Sequence, residues 1–283
     1  MEIKNRKTGE VLHQSESEAL VACDLCDLNL ENADLRGMDL TGARLLFTNL
    51  RNADLSGAKL ANADLRGAQL NLSDLSGADL SGAKLGDATH GGAAVMMGCI
   101  LQGAQLVRTD LRFVDMHQAN LDSANLTEAD LRGTTLCLAS LQRANLANSL
   151  LIDADLREAD LQEADLRGAH LNSASLIGAN LSRAQMGSID AHRPTVLNLA
   201  NLRNAKLRET RLGGAIIHEA NLRDADLTGA DLTNASLTGS VLRGANLTEA
   251  DLSGVELFMV TLDYAHISRA HNAVIPSTKT NWR

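Results

Sequence analysis

The chain has 283 residues, 26 of them Lys or Arg and 35 Asp or Glu, for a formal net charge of −9. That balance does not suit phosphate neutralisation by clustered cations, so direct nucleic-acid binding is not expected. No run approaches 18 consecutive apolar residues, so no membrane span is expected. Residues 1–7 lead into no apolar secretory segment, which points to the cytoplasm. Apolar residues make up 45% of the chain but aromatics only 2%, so a conventional core built on bulky rings is excluded.

In chain order, residues 1–22 read as an N-terminal cap. Residues 2–14 suggest a hairpin turning at Lys7-Thr8-Gly9, with Ile3 and Val11 tucked inward. Ser15-Glu16-Ser17-Glu18 has capping-box spacing ahead of Ala19-Leu20-Val21-Ala22, which predicts a short helix. Such a cap would protect the open edge of whatever follows.

Residues 23–267 are dominated by a period of five. Leu stands at every fifth position from Leu25 to Leu85. A second run goes from Leu106 to Met186 and a third from Leu197 to Ile267. All 45 such positions are apolar, and two residues earlier 31 of the 45 are Ala. The residue between is most often Asp or Asn, as in Ala33-Asp34-Leu35 and Ala225-Asp226-Leu227, and Leu is followed by polar residues or Gly. Five fits neither the helical nor the strand period. An apolar pair at i and i−2 on a short extended piece puts two side chains on one side. The remaining residues must turn the chain, which can then close into a stacked coil whose units touch only their neighbours.

Two breaks interrupt the runs, at 86–93 and 187–194, each spanning 11 residues from Leu to Leu-type position. Gly91-Gly92 and Pro194 supply turn chemistry there. Counting each break as one scrambled repeat makes them repeats 14 and 34. Residues 268–283 leave the pattern as a C-terminal tail. Phe258, Met259, Tyr264 and Trp282 gather near this end, and either a terminal cap or a homodimer surface explains them.

The A-(D/N)-L-x-x repeat over about residues 23–267 resembles the pentapeptide-repeat family. That resemblance implies an all-β solenoid, a right-handed quadrilateral β-helix with four pentapeptides per coil. About 12 coils would form a rod roughly 58 Å long at a strand spacing of about 4.8 Å. With four repeats per coil, the two breaks would share one wall.

No catalytic residue, metal or cofactor is expected. Cys23 and Cys26 form a lone C-x-x-C with one member inward and one outward, and Cys99 and Cys137 are isolated. The eight His are scattered, and no nucleophile elbow, phosphate loop or dinucleotide fingerprint occurs. The Asp and Asn before Leu are read as bonding local backbone. Residues twenty apart should stack. Asp24, Arg44, Asp64 and Lys84 then alternate in sign, while Asp34, Asp54 and Asp74 make a single-sign column. Arg203, Arg223 and Arg243 stack near Asp224 and Asp226, either as a partly neutralised ladder or as an anion site. The wall with the breaks exposes Arg112, Phe113, Arg132, Leu150, Ile152 and His170, a candidate surface for a protein partner. The expected role is a non-enzymatic scaffold. The alternative implied by the resemblance is a DNA-mimicking, gyrase-interacting protein of the fluoroquinolone-resistance type, for which the Asp column would replace phosphates.

Overall fold

The computed structural model describes residues 1–15, 19–88, 91–190 and 192–276. Two compact units divide the chain, Met1–Ser140 and Leu141–Arg283. Both are built from the same coil. Parallel bridges join the residue before each Leu to its counterpart 20 positions on, as in Asp24↔Arg44 and Arg44↔Asp64 in the first unit and Asn201↔Asn221 and Asn221↔Val241 in the second. One coil is therefore four pentapeptides. The ladder runs through main-chain bonds such as Leu25 N–H to Arg44 O at 2.8 Å and Arg44 N–H to Cys23 O at 2.9 Å.

The five positions divide the work. Leu and the Ala two residues earlier point inward and are buried throughout both units, Leu35, Leu131, Ala164 and Leu227 among them at 0% exposure. Small side chains at alternate inward positions let the coil be narrow, so aliphatic columns fill it without rings. Where the Ala slot holds Thr or Ser, the buried hydroxyl donates to a main-chain carbonyl. Thr48 Oγ1 bonds Leu25 O at 2.8 Å, Thr109 Oγ1 bonds Leu80 O at 2.9 Å, and Ser240 Oγ bonds Ile217 O. Such pairing removes most of the cost of burying a hydroxyl.

The outward Asp or Asn accepts from the N–H two residues on, as Asp54 does from Ser56 at 3.1 Å and Asn125 from Thr127 at 3.2 Å. This fastens each corner. The second residue after Leu adopts a left-handed conformation in coil after coil, for example Asn52 (φ 54°) and Asp153 (φ 58°). Asn, Asp and Gly are common there because they tolerate that backbone best.

At the start of the chain, β1 (Glu2–Asn5) pairs antiparallel with β2 (Val11–Gln14) and with β3 (Ala33–Asp34), in the order β2-β1-β3. The hairpin thereby covers main-chain groups of the first coil, and Ile3 is fully buried, whereas Val11, expected to tuck inward with it, is exposed. Among the described residues no helix forms in 19–22. Leu20 is buried and in phase with Leu25, and Ala22 N–H bonds Thr41 O at 2.9 Å. The five-residue register already captures this segment. Residues 16–18 of the expected helix lie outside the described residues.

Each break differs from its sequence reading. Across the first, the bridge offset rises from 20 to 26 residues, as in Gln69↔Val95 and Lys84↔Asp110; across the second, His170↔Val196 and Gln185↔Arg211 do the same. Each break is thus a six-residue insertion between two consecutive Leu slots and occupies no slot of its own. The count that made them repeats 14 and 34 treated both as slots, so the expectation of one shared wall loses its premise. In the first loop Asp87 N–H bonds Arg112 O, and the Asp87 carboxylate sits where a Cβ on Gly92 would be, 1.8 Å from Oδ2. In the second, Asp190 accepts from the His192 and Arg193 N–H groups and pairs with the Arg193 guanidinium at 2.6 Å. Buried Thr195 ties that loop to Leu166 O and Gly187 O.

Candidate interaction surfaces

Arginine pairing follows a local rule. Wherever the chain reads Asp-Leu-Arg, the guanidinium folds back onto the Asp two residues earlier in a bidentate clip. The six cases are Arg36 on Asp34, Arg66 on Asp64, Arg112 on Asp110, Arg132 on Asp130, Arg157 on Asp155 and Arg167 on Asp165, with Nε and Nη2 at 2.6–2.9 Å. Planar, two-point contact of this kind is the strongest pairing an exposed arginine makes. Burial pushes the Asp110 and Asp165 carboxyls up, but the clips to Arg112 and Arg167 outweigh it and hold both below the usual range.

The candidate wall of the first unit is organised by these clips. Arg112 holds Asp110 and also approaches Asp130 at 3.7 Å, while Arg132 closes on Asp130 at 2.6 Å. Arg112 and Phe113 are half-buried and Arg132 is exposed. Phe113 lies flat on the next coil, where a Cβ on Gly133 would meet its ring at 2.5 Å. In the second unit Leu150 and Ile152 are half-buried, His170 is exposed, and Leu150 bridges to His170. The six residues are thus divided three and three between the two units.

The acidic column stacks as expected, Asp34↔Asp54↔Asp74, but its charge is shared. Arg36 clips Asp34 and lies 3.9 Å from Asp54, Arg6 reaches Asp54 at 3.5 Å, and Asp54 and Asp74 accept from Ser56 and Ser76. The next rung is apolar, Asp74↔Ile100.

Sequence reasoning missed a group of exposed apolar side chains in the first unit, away from the column of Arg112, Phe113 and Arg132. Leu72 is 63% exposed, and Met97 and Ile100 are exposed beside it. Leu72 N–H bonds Met97 O at 3.0 Å, and a Cβ on Gly98 would sit 3.0 Å from Leu72 Cδ2. The three therefore surround one corner. The signal was present, since Leu72 and Ile100 stand in outward slots that are mostly polar or Gly elsewhere.

Near the end of the second unit, Phe258, Met259 and Tyr264 are exposed, and the Arg243 guanidinium lies 5.4 Å from the Tyr264 ring centre. Val255, Leu257, Phe258, Val274 and Pro276 line a groove of about 470 Å³. Trp282 lies outside the described residues. Among them, no three His, Cys, Asp or Glu side chains converge as a metal site, and no helix is long and apolar enough to cross a membrane.

This repetitive geometry is matched by the family model for pentapeptide repeats, which finds eight copies between residues 20 and 258: 20–57, 53–89, 99–136, 119–157, 139–176, 154–188, 195–234 and 225–258. The chain belongs to the pentapeptide-repeat family, whose members form right-handed β-helices. Among solved structures it is similar to HetL, a pentapeptide repeat protein involved in heterocyst differentiation regulation from the cyanobacterium Nostoc sp. strain PCC 7120. That match has 33% identity over 90% of this chain and 92% of HetL, with a TM-score of 0.31. It is also similar to QnrB1, a plasmid-mediated fluoroquinolone resistance protein, at 23% identity over 74% of this chain and 91% of that one, TM-score 0.47. Rfr23 from the cyanobacterium Cyanothece 51142 matches at 27% identity over 42% of this chain and 87% of its own, TM-score 0.26. No curated protein matches.

Proposed function

We propose that this protein is a non-enzymatic binding scaffold that meets a protein partner through its outer wall. The observation that carries the reading is the apolar corner formed by Leu72, Met97 and Ile100. Contiguous exposed apolar groups with a polar rim favour contact with another protein. Inward positions are filled by Leu and Ala columns, so recognition falls to the outward ones.

The test is affinity capture with the purified protein and with a Leu72→Lys, Met97→Lys double variant. A partner retained by the parent and by an Arg167→Gln control, but lost from the double variant, supports the reading. Capture that is indifferent to Leu72 and Met97 contradicts it. The DNA-mimic alternative needs a continuous acidic face, and the sharing of Asp34 and Asp54 with Arg36 and Arg6 weighs against it. A gyrase supercoiling assay with and without a fluoroquinolone distinguishes the two.

A further inference from the structure

Five arginines that directly follow a Leu escape the clip; Arg208, behind Lys206-Leu207, pairs with Asp226, and the other four share one feature. In Asn49-Leu50-Arg51, Asn201-Leu202-Arg203, Asn221-Leu222-Arg223 and Val241-Leu242-Arg243 the residue before Leu carries no charge. Among the described residues none of these four guanidiniums has a carboxylate within 4.0 Å, whereas all six Asp-Leu-Arg guanidiniums do. Three of the four stack. Asn204 N–H bonds Arg223 O at 3.0 Å and Asp224 N–H bonds Arg243 O at 3.0 Å, so Arg203, Arg223 and Arg243 occupy one column on consecutive coils of the second unit. Asn201↔Asn221↔Val241 runs beside them.

Three acids lie near the column, and none of them pairs with its arginines. Asp226 pairs with Arg208 at 2.5 Å. The Asp224 carboxylate lies over Gly244, where a Cβ would meet it at 2.3 Å. Asp263 follows Arg243 in the column without an ion pair to it. The Arg243 guanidinium carbon lies over the Tyr264 ring, 5.4 Å from its centre. A second observation is independent of the stacking: Arg223 Nε is buried and has no hydrogen-bond acceptor among the described residues. The Arg223 guanidinium is therefore not fully satisfied by the protein itself.

We propose that Arg203, Arg223 and Arg243 form a binding site for phosphoryl-type dianions. Rungs about 4.8 Å apart leave room for a tetrahedral oxyanion to accept from the guanidinium on either side. Three rungs make two such clefts, so two linked phosphoryl groups suit the ladder better than one. The source is either a free phosphate compound or a phosphorylated side chain of a partner, and both present the same chemistry.

The test is calorimetric titration of the full chain with inorganic phosphate, inorganic pyrophosphate and a phosphoserine peptide. Pyrophosphate should bind saturably and about tenfold more tightly than phosphate, because it engages a second cleft. Arg223→Gln should weaken it by about tenfold or more, as should the exposed pair Arg203→Gln, Arg243→Gln, while Arg167→Gln, already clipped, should not. Binding of the phosphoserine peptide with the same Arg223 dependence assigns the source to a modified protein, and binding of pyrophosphate alone assigns it to a free compound. The proposal is overturned if neither probe saturates, if Arg167→Gln weakens binding as much as Arg223→Gln, or if a DNA duplex binds and both probes do not.

Discussion

Two arginine columns present the same side chain on the same repeating backbone and reach opposite electrostatic states. In the first unit, Arg112 and Arg132 are locked to Asp110 and Asp130. In the second, Arg203, Arg223 and Arg243 have no such partner among the described residues. The difference is the residue two positions earlier, Asp in one column and Asn or Val in the other. A β-helix repeats its backbone so faithfully that one side chain per coil decides whether a wall is self-neutralised or open. Like-charged rungs at about 4.8 Å repel by roughly 1 kcal/mol in water before screening. An unclipped ladder is therefore a modest stability cost that a bound anion would offset.

The largest perturbation removes the scaffold beneath the clipped column. Leu131→Asp places an uncompensated carboxylate in the buried Leu stack and should destabilise the fold by several kcal/mol. Circular dichroism melts check this, and a parent-like melt would contradict the inward assignment. Next, Gly133→Ala adds a Cβ at φ 65° in the space of the Phe113 ring and should cost about 1–3 kcal/mol. Phe113→Ala in the same background should recover part of that loss. If it does not, the ring does not rest on Gly133.

A smaller effect separates the columns by pH. The clipped Asp34, Asp64, Asp110 and Asp165 titrate below their ordinary values. A depressed folded-state pKa gives stability that is fully present above the unfolded value of about 4 and is lost as pH falls through the folded one. Melting temperature should therefore drop from pH 5 to pH 3. The drop should shrink in Arg112→Gln, Arg132→Gln, which starts lower at neutral pH. Arg203→Gln should keep the parent's slope, since its column holds no clipped carboxylate.

Much of this could be read in the residues before the fold was seen. The five-residue period with Ala two before Leu specifies the inward columns. The Asp or Asn between them bonds the corner main chain, as Asp54 and Asn125 do. Stacking at twenty residues follows once a coil holds four repeats. The loops were misread because an 11-residue interval is equally two slots plus one residue or one slot plus six. Only the bridge register, Gln69↔Val95 and His170↔Val196, separates these. Ser15-Glu16-Ser17-Glu18 carries a helix-start pattern, yet Leu20 is already in phase with the solenoid, and burial in the column outweighs a local preference. Phe113 looked like a protruding contact residue. The Gly twenty positions later was the sign that it lies flat. The arginine rule was visible as D-L-R against N-L-R, but its consequence needed side-chain geometry.

The most direct test of the account exchanges that one residue. Asn201→Asp with Asn221→Asp installs two clips while keeping Arg203, Arg223 and Arg243, and should change the melt by no more than about 1 kcal/mol. Pyrophosphate titration of this variant should show binding weakened by about tenfold or more, the guanidiniums now being held by their own Asp. Binding as tight as in the parent would contradict the claim that the residue before Leu decides whether the arginine behind it is free.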